Sequence, residues 1–201
     1  MTITYICGNS LYINLTNRCS NRCAFCVRDK HDDVNGEDNL WLDREPTVEE
    51  IKADIKTRNL SDFDMVVFCG FGEPFMRFDD CLAVAKWIKK TYGDIKIRVN
   101  TNGQGSLIAG RDITPELKGA FDIVSISLNS DTAEKYDALC LSDYGKDAFP
   151  ALIEFGKKAK EYVSEVIFSV VDHVTTPEEI ENCRKIAEGA GVSFRVREYI
   201  E

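Results

Sequence analysis

The sequence predicts an α/β fold: an open, partial parallel βα barrel of about six βα units, with residues 1–201 forming a single core domain. Three observations predict it. Short runs rich in Val, Ile and Phe alternate with helix-period patterns, and strands joined by helical crossovers pair in parallel with both sheet faces covered. Six such units suffice for an open barrel but not for a closed eight-stranded one. The length of 201 residues, 44% hydrophobic and 29% charged, suits one globular core, and no Gly/Ser or Pro-rich linker marks a second domain. A doubly wound open sheet is the alternative arrangement of the same elements.

Residues 11–16 read as the first strand, followed by a cysteine-rich loop and a polar stretch to about Glu45. Pro46 and Thr47 open the first helix: Thr47 and Glu50 stand at capping-box spacing, and Val48, Ile51 and Ile55 form its apolar stripe. Residues 65–69 are a continuous apolar run of buried-strand length. A glycine-rich turn follows, then a helix from about Asp79 that carries Cys81, Ala85, Ile88 and Tyr92 on one face. Residues 95–99 are the third strand, and Thr114 with Pro115 fits the N-cap and first position of a short third helix. The fourth strand is expected at 123–128, helices at 131–141 and 150–162, and the fifth strand at 166–171. Thr176, Pro177 and Glu179 open the last helix, with Ile180, Cys183 and Ile186 or Ala187 inward, and residues 194–199 are the sixth strand.

Charge and composition exclude several function classes. Lys plus Arg number 25 against 34 for Asp plus Glu, a net charge of −9 that repels nucleic-acid phosphates and anionic headgroups, so generic nucleic-acid binding is not expected. No apolar run approaches the ~20 residues that span a bilayer, so no membrane association is expected either. The first 15 residues lack a basic region followed by an apolar block and a cleavage site, which points to the cytoplasm. In that reducing compartment eight cysteines suggest metal or redox chemistry rather than disulfides.

Cys19, Cys23 and Cys26 stand at C-x3-C-x2-C spacing directly after the first strand. Thiolates on so compact a loop can hold zinc or an iron–sulfur cluster. Structural zinc normally closes a tetrahedron with four protein ligands, and this neighbourhood offers no fourth cysteine and only His31 as a nearby imidazole, which makes zinc the weaker reading. Three cysteines on a [4Fe-4S] cubane would leave one iron open to a small molecule. The other five cysteines read as core packing: Cys69 in an apolar strand, Cys81 and Cys183 on inner helix faces, Cys7 and Cys140 standing alone. Without a second cysteine cluster, an auxiliary iron–sulfur centre is not expected.

The C-x3-C-x2-C run, with the aromatic Phe25 before its last cysteine, resembles the signature of the radical S-adenosylmethionine (radical SAM) superfamily. The resemblance implies a partial or full parallel βα barrel with a [4Fe-4S] cluster on Cys19, Cys23 and Cys26. It further implies that the methionyl amine and carboxylate of S-adenosylmethionine chelate the unique iron. Reductive cleavage of the sulfonium then gives a 5′-deoxyadenosyl radical that abstracts hydrogen from a substrate. The segments 11–19 (LYINLTNRC) and 195–200 (RVREYI) also resemble the small radical SAM proteins associated with TatD-family hydrolases. The implied partners are S-adenosylmethionine, an electron donor such as flavodoxin or ferredoxin, and a protein substrate or a TatD-family hydrolase. A glycyl-radical enzyme activase is the alternative within this chemistry; a non-catalytic iron–sulfur or zinc binding module is the alternative outside it.

The remaining candidate residues sit at strand ends, where βα barrels place their chemistry. Gly70-Phe71-Gly72-Glu73-Pro74 resembles the superfamily's Gly-Gly-Glu-Pro motif, with Phe71 in place of one glycine, so Gly72, Glu73 and Pro74 are expected to hold the methionyl amine. Asn100-Thr101-Asn102-Gly103 resembles the Asp-Thr-Asn-Gly run of glycyl-radical activating enzymes, with Asn100 in place of the aspartate. Asn100 and Asn102, with Ser125, Ser127 and Asn129 on one face of the fourth strand, suit ribose hydroxyls or a carboxylate without adding a buried charge; the bland alternative is an internal hydrogen-bond network. Ser169 is a hydroxyl among apolar neighbours. Arg195 and Arg197 share one face of the last strand, and Arg197, nearer the rim, is the better anion-binding candidate unless that face looks outward. The stretch at about 27–45, anchored only by Val34, Leu40, Trp41 and Leu42, reads as a lid or docking loop or as a plain surface loop, and the exposure of Trp41 decides between them.

Overall fold

β1 (Thr4–Cys7) and β2 (Ser10–Ile13) form an antiparallel hairpin around Gly8, whose φ of +56° lies in the left-handed region that favours glycine. The single expected strand at 11–16 is thus the second arm of a hairpin. β1 escapes a sequence reading because its four residues are too few to display a period. The computed structural model describes residues 1–33 and 39–199; Val34 and Ile200 lie outside the described residues.

From β2 onward every strand is parallel. β3 (Met65–Phe68), β4 (Lys96–Thr101), β5 (Ile123–Ser127), β6 (Glu165–Val171) and β7 (Ser193–Arg197) follow in strict sequential order, giving an open seven-stranded sheet with β1 and β7 at its ends. One register row, Ile13–Phe68–Val99–Val124–Val166, crosses five strands and is buried throughout. It carries the face covered by helices. Because side chains alternate, Tyr12, Val67 and Arg98 in the adjacent row face the other way, into the concave side.

The helices form where the local sequence closes their ends. α1 (Val48–Ile55) and α6 (Pro177–Ala190) begin with complete capping boxes, Thr47 with Glu50 and Thr176 with Glu179, each worth about 1 kcal/mol. α2 (Phe78–Tyr92) buries Cys81, Ala85 and Ile88 as its spacing predicts. α4 (Ala133–Cys140) and α5 (Ala148–Ala159) together cross from β5 to β6, and Pro150 sits in the first turn of α5, where its missing N–H leaves no bond unmade.

The β4–β5 crossover departs from expectation. Its helix is α3 (Gly105–Ala109), while Thr114–Leu117 forms only a 3-10 turn. Thr114 does not cap it: the Asp112 carboxylate accepts from both the Thr114 amide and its hydroxyl, at 3.0 and 2.7 Å. Among the described residues no helix is long and apolar enough to cross a membrane.

Candidate functional site

After β2 the chain runs without regular structure through the three cysteines to a 3-10 turn at Val27–Asp29. The segment is nevertheless held tightly. The Arg22 and Ala24 amides donate to the carbonyls of Cys140 and Leu139 at 2.9 and 3.0 Å, and the Asp143 amide donates to the Ser20 carbonyl at 2.8 Å, clasping the loop to the end of α4. Behind it lies a buried amide–hydroxyl network. Gln104 donates through Nε2 to Asn21 Oδ1 (2.8 Å) and to the Tyr136 hydroxyl (3.0 Å), while its Oε1 accepts from the hydroxyls of Ser20 (2.8 Å) and Ser142 (3.1 Å). Asn21 Nδ2 also donates to the Tyr136 hydroxyl at 3.1 Å. Every polar atom of the Gln104 amide is therefore engaged.

In front of the loop, at the C-terminal ends of the parallel strands, is a cavity of about 260 Å³. Cys19, Cys23 and Cys26 line one wall, with Phe25; Gly72, Glu73, Asn100, Asn102, Ser127, Asn129 and Arg197 line the rest. These eleven residues come from the first loop and from the ends of β3, β4, β5 and β7, as a barrel rim requires. Three expected residues are not among the lining, the first of them Ser125, which is buried within β5. Pro74 is buried as the first residue of a 3-10 turn, and the Ser169 hydroxyl donates to the Ile126 carbonyl at 3.3 Å. Larger open clefts of about 610 and 600 Å³ exist elsewhere, the first between Arg18, Glu45 and Arg111, the second around Arg58 and Asp94. Neither contains a thiol or an unpartnered buried side-chain atom, which makes the smaller cavity the candidate site.

The cavity holds two buried polar atoms without partners, Asn100 Oδ1 and Arg197 Nε. Arg197 Nη2 reaches Ser127 Oγ and Asn129 Oδ1 at 3.4 Å each, and no carboxylate pairs with it among the described residues. Burial, with Arg195 nearby, lowers its pKa from the usual guanidinium value. Asn129 reaches this position with a φ of +57°, a conformation that Asn tolerates better than most residues. An orphaned acceptor and an orphaned cationic donor in one cavity suit a ligand carrying both a donor and an anionic group.

Glu73 is committed to the protein itself. Its Oε1 accepts from the Thr101 hydroxyl (2.7 Å) and the Phe75 amide (3.0 Å), and its Oε2 from the Asn102 amide (2.6 Å). Burial outweighs these three donors and pushes its carboxyl up to about 7. Asn102 is similarly occupied, donating to Ser20 Oγ at 2.9 Å and accepting from the Gln104 amide at 3.0 Å. The glycines of the turn serve close packing: a Cβ on Gly72 would lie 2.2 Å from the Thr16 carbonyl oxygen, and one on Gly70 2.1 Å from Asn14 Oδ1.

Burial raises the Cys19 and Cys26 thiols from their usual value, Cys19 to about 12 with Glu73 adding to the effect. A thiolate here needs a metal in place of the proton. Cys23 is raised chiefly by its hydrogen bond to Cys140, so a cysteine expected to stand alone lies directly beside the loop. The three thiols share a wall without converging on a point, and among the described residues no three His, Cys, Asp or Glu side chains form a metal-holding group. Sequence reasoning also missed Cys69, Gly70, Thr101 and Asn21 in the lining. For Cys69 the signal was available, since it falls at the end of β3 on the alternate face shared with Val67. Trp41 is 37% exposed and packs edge-on against Phe71 at 5.1 Å between ring centroids. The chain on either side of it is pinned to the segment after β2, the Leu40 carbonyl accepting from Asn14 Nδ2 at 2.7 Å and the Leu42 carbonyl from Asn17 Nδ2 at 2.8 Å.

A thiol-bearing loop after the first parallel strand, at the rim of an open βα barrel, defines a class of cluster-binding partial barrels, and comparison with known proteins narrows it. The sequence profile of the radical SAM superfamily matches residues 13–187, and the chain belongs to that superfamily. Its members are enzymes that use a [4Fe-4S] cluster and S-adenosylmethionine, and both cofactors come to this chain with membership. A probable GTP 3′,8-cyclase of Thermococcus kodakarensis is 31% identical over 157 residues, 78% of this chain and 45% of that protein. A probable GTP 3′,8-cyclase of Methanocaldococcus jannaschii is 32% identical over 128 residues, 63% of this chain and 38% of that protein. The chain thus spans less than half the length of these curated relatives. The fold is shared with a radical SAM methyltransferase from Sphaerobacter thermophilus (TM-score 0.63, 15% identity, 97% of this chain and 68% of that one). It is also shared with SuiB of Streptococcus suis in its complex with S-adenosylmethionine (TM-score 0.65, 17% identity, 94% and 38%).

Proposed function

We propose that this chain is the catalytic core of a radical SAM enzyme in which Cys19, Cys23 and Cys26 hold the cluster and the cavity before them takes S-adenosylmethionine. The observation that carries the reading is the pairing of a three-thiol wall with an opposite wall that leaves Asn100 Oδ1 and Arg197 Nε unsatisfied. When bound, the cluster supplies the electron that cleaves the sulfonium and yields a 5′-deoxyadenosyl radical for hydrogen abstraction. Arg197, steadied by Ser127 and Asn129, holds the methionyl carboxylate. The backbone of the Gly70–Gly72 turn and the one lone-pair site left on Glu73 Oε2 receive the amine. Asn100 and Asn102 face the nucleoside, and Phe25 walls the cavity beside the cysteines. As a cluster ligand, Cys23 would give up its hydrogen bond to Cys140.

The electron donor is of the flavodoxin or ferredoxin type. The resemblance of 11–19 and 195–200 to the small TatD-associated proteins favours a TatD-family hydrolase or another protein as partner. Anaerobic reconstitution with iron, sulfide, reductant and S-adenosylmethionine tests the reading: 5′-deoxyadenosine is formed, serine at Cys19, Cys23 and Cys26 abolishes both cluster absorbance and cleavage, and Cys81→Ser leaves both nearly unchanged. A cluster that survives the triple substitution refutes the ligand assignment. A stable cluster without any 5′-deoxyadenosine leaves a binding module in place of an enzyme.

A further inference from the structure

The cofactor cavity contains one thiol that the cysteine loop does not supply. Cys69 directly follows β3 and lines the same cavity as Cys19, Cys23, Asn100 and Arg197. Its main chain is fixed from the N-terminal hairpin: the amide donates to the Ile13 carbonyl at 3.0 Å, and the carbonyl accepts from the Tyr5 hydroxyl at 3.2 Å. Cys69 stands one residue beyond the Phe68–Val99 register pair, which sets it beside Asn100 on the concave face. It is therefore no part of the helix-covered core that an apolar strand suggests from sequence.

Three features set it apart from a packing cysteine. Cys81, Cys140 and Cys183 are fully buried, whereas Cys69 keeps part of its surface open. Its sulfur hydrogen-bonds with Asn100, whose Oδ1 is left buried without a partner in the same cavity, so a ligand group completes the amide directly beside the thiol. Burial raises the thiol above its usual value and the bond with Asn100 only partly offsets this, so the sulfur keeps its hydrogen at neutral pH. An S–H bond is weaker than the C–H bond of an alkyl group, and a thiol in contact with a carbon radical gives up its hydrogen atom downhill.

We propose that Cys69 is a hydrogen-atom donor to the carbon radical formed in this cavity. The assignment rests on the radical SAM reading above and extends it to a residue that holds neither cluster nor cofactor. In the step, the Sγ–H bond breaks homolytically and a C–H bond forms at the radical carbon, leaving a thiyl radical on Cys69. An electron from the flavodoxin- or ferredoxin-type donor and a proton from water then restore the thiol. Without substrate the acceptor is the 5′-deoxyadenosyl radical itself, and each cleavage consumes a second electron and a proton.

Two measurements on the reconstituted holoprotein test it. Before any reductant is added, alkylation by N-ethylmaleimide with peptide mapping reports which thiols the cavity exposes. Cys69 is expected to be alkylated, S-adenosylmethionine to protect it, and the fully buried Cys81 to stay unmodified in both samples. The holoprotein is then reduced with dithionite in D₂O without substrate or added thiol, and the exchanged S–D is expected to place a solvent deuterium in 5′-deoxyadenosine. Cys69→Ser keeps the volume and the hydrogen bond, but its O–H is too strong to yield a hydrogen atom; this variant and Cys69→Ala lose most of the label, while Cys81→Ser keeps it. Cluster absorbance and S-adenosylmethionine binding identify a variant that fails to fold, and the labelling of the wild type needs no variant. Unlabelled 5′-deoxyadenosine from the wild type, label retained in both Cys69 variants, or alkylation of Cys69 indifferent to S-adenosylmethionine overturns the proposal while leaving the functional reading in place. A wild type that forms no 5′-deoxyadenosine at all fails the functional reading, and this inference with it.

Discussion

Gln104, at the start of α3, donates to Asn21, midway between the first two cysteines, across a sequence separation of 83 residues. The Tyr136 hydroxyl closes the triangle by accepting from both amides. This buried network fixes the loop from behind, so its rigidity does not depend on the loop's own sequence. Gln104→Ala will strand buried groups on Asn21, Ser20 and Ser142, with an expected loss of ~3 kcal/mol in urea unfolding. Iron uptake on reconstitution will fall with it, although no thiol is touched. Unchanged stability and unchanged iron content would show that the loop is held by its backbone clasp to α4 alone.

Glu73 couples stability to pH. Its carboxyl is raised by burial from an ordinary 4.5 to about 7, so between those values the folded chain binds more protons than the unfolded one and stability falls as pH rises. The loss accumulates from about pH 4.5, is complete above about 7, and amounts to at most ~3 kcal/mol from this group. Denaturant midpoints of the cluster-free protein at pH 5 and pH 7.5 measure it. Glu73→Gln removes this slope, at a constant cost because its new NH₂ meets a donor at Asn102 or Thr101. A slope retained in the glutamine variant assigns the titration to another group.

Two glycines predict opposite outcomes. Alanine at Gly72 places its Cβ 2.2 Å from the Thr16 carbonyl oxygen and 2.5 Å from that of Arg18, both backbone atoms that cannot rotate aside. The turn must lift from the segment after β2, with an expected loss of more than ~3 kcal/mol and of the cavity with it. Gly189 lies inside α6 with nothing within 4 Å of an added Cβ, so Gly189→Ala should stabilise by about 0.5–1 kcal/mol. Thermal melts of the two variants decide the matter, and a tolerated Gly72→Ala contradicts the packing account.

What the sequence makes legible is what is local. Thr47 with Glu50 and Thr176 with Glu179 signal their helices within four residues, and the cysteine spacing announces soft-metal chemistry within eight. The parallel order follows from helices lying between strands. The short α3 stays hidden because its first residue, Gly105, answers to Phe75 and Ile113, against which a Cβ would press at 2.7 and 2.8 Å. Its neighbour Gln104, and Tyr136, matter to the site only through partners 83 and 115 residues distant, a separation that no window of sequence exposes. Glu73 is legible as a site residue. Its main occupation, joining the β3 turn to the end of β4, is visible only when Thr101 and Asn102 arrive beside it.

The contact between Cys23 and Cys140 gives the cluster-free protein a chemistry that loading should suppress. Cys23 is half-buried in the loop, Cys140 is fully buried at the end of α4, and the backbone bond from Arg22 to the Cys140 carbonyl holds the two chains together there. A mild two-electron oxidant such as diamide should take one proton and one electron from each thiol and join the two sulfurs, itself reduced to the hydrazine. Peptide mapping will then find Cys23 linked to Cys140, and, with Cys23 in its proposed place as a cluster ligand, the same treatment of the cluster-loaded protein will leave both thiols unlinked. Cys140→Ala should prevent the link yet still take up a full cluster, which separates a neighbour of the ligand set from a member of it. If the linked pair is instead Cys19 with Cys26, the loop folds onto itself without its cluster and the clasp to α4 is weaker than the geometry indicates; if Cys140→Ala loses its iron, Cys140 is a ligand and the three-thiol assignment fails.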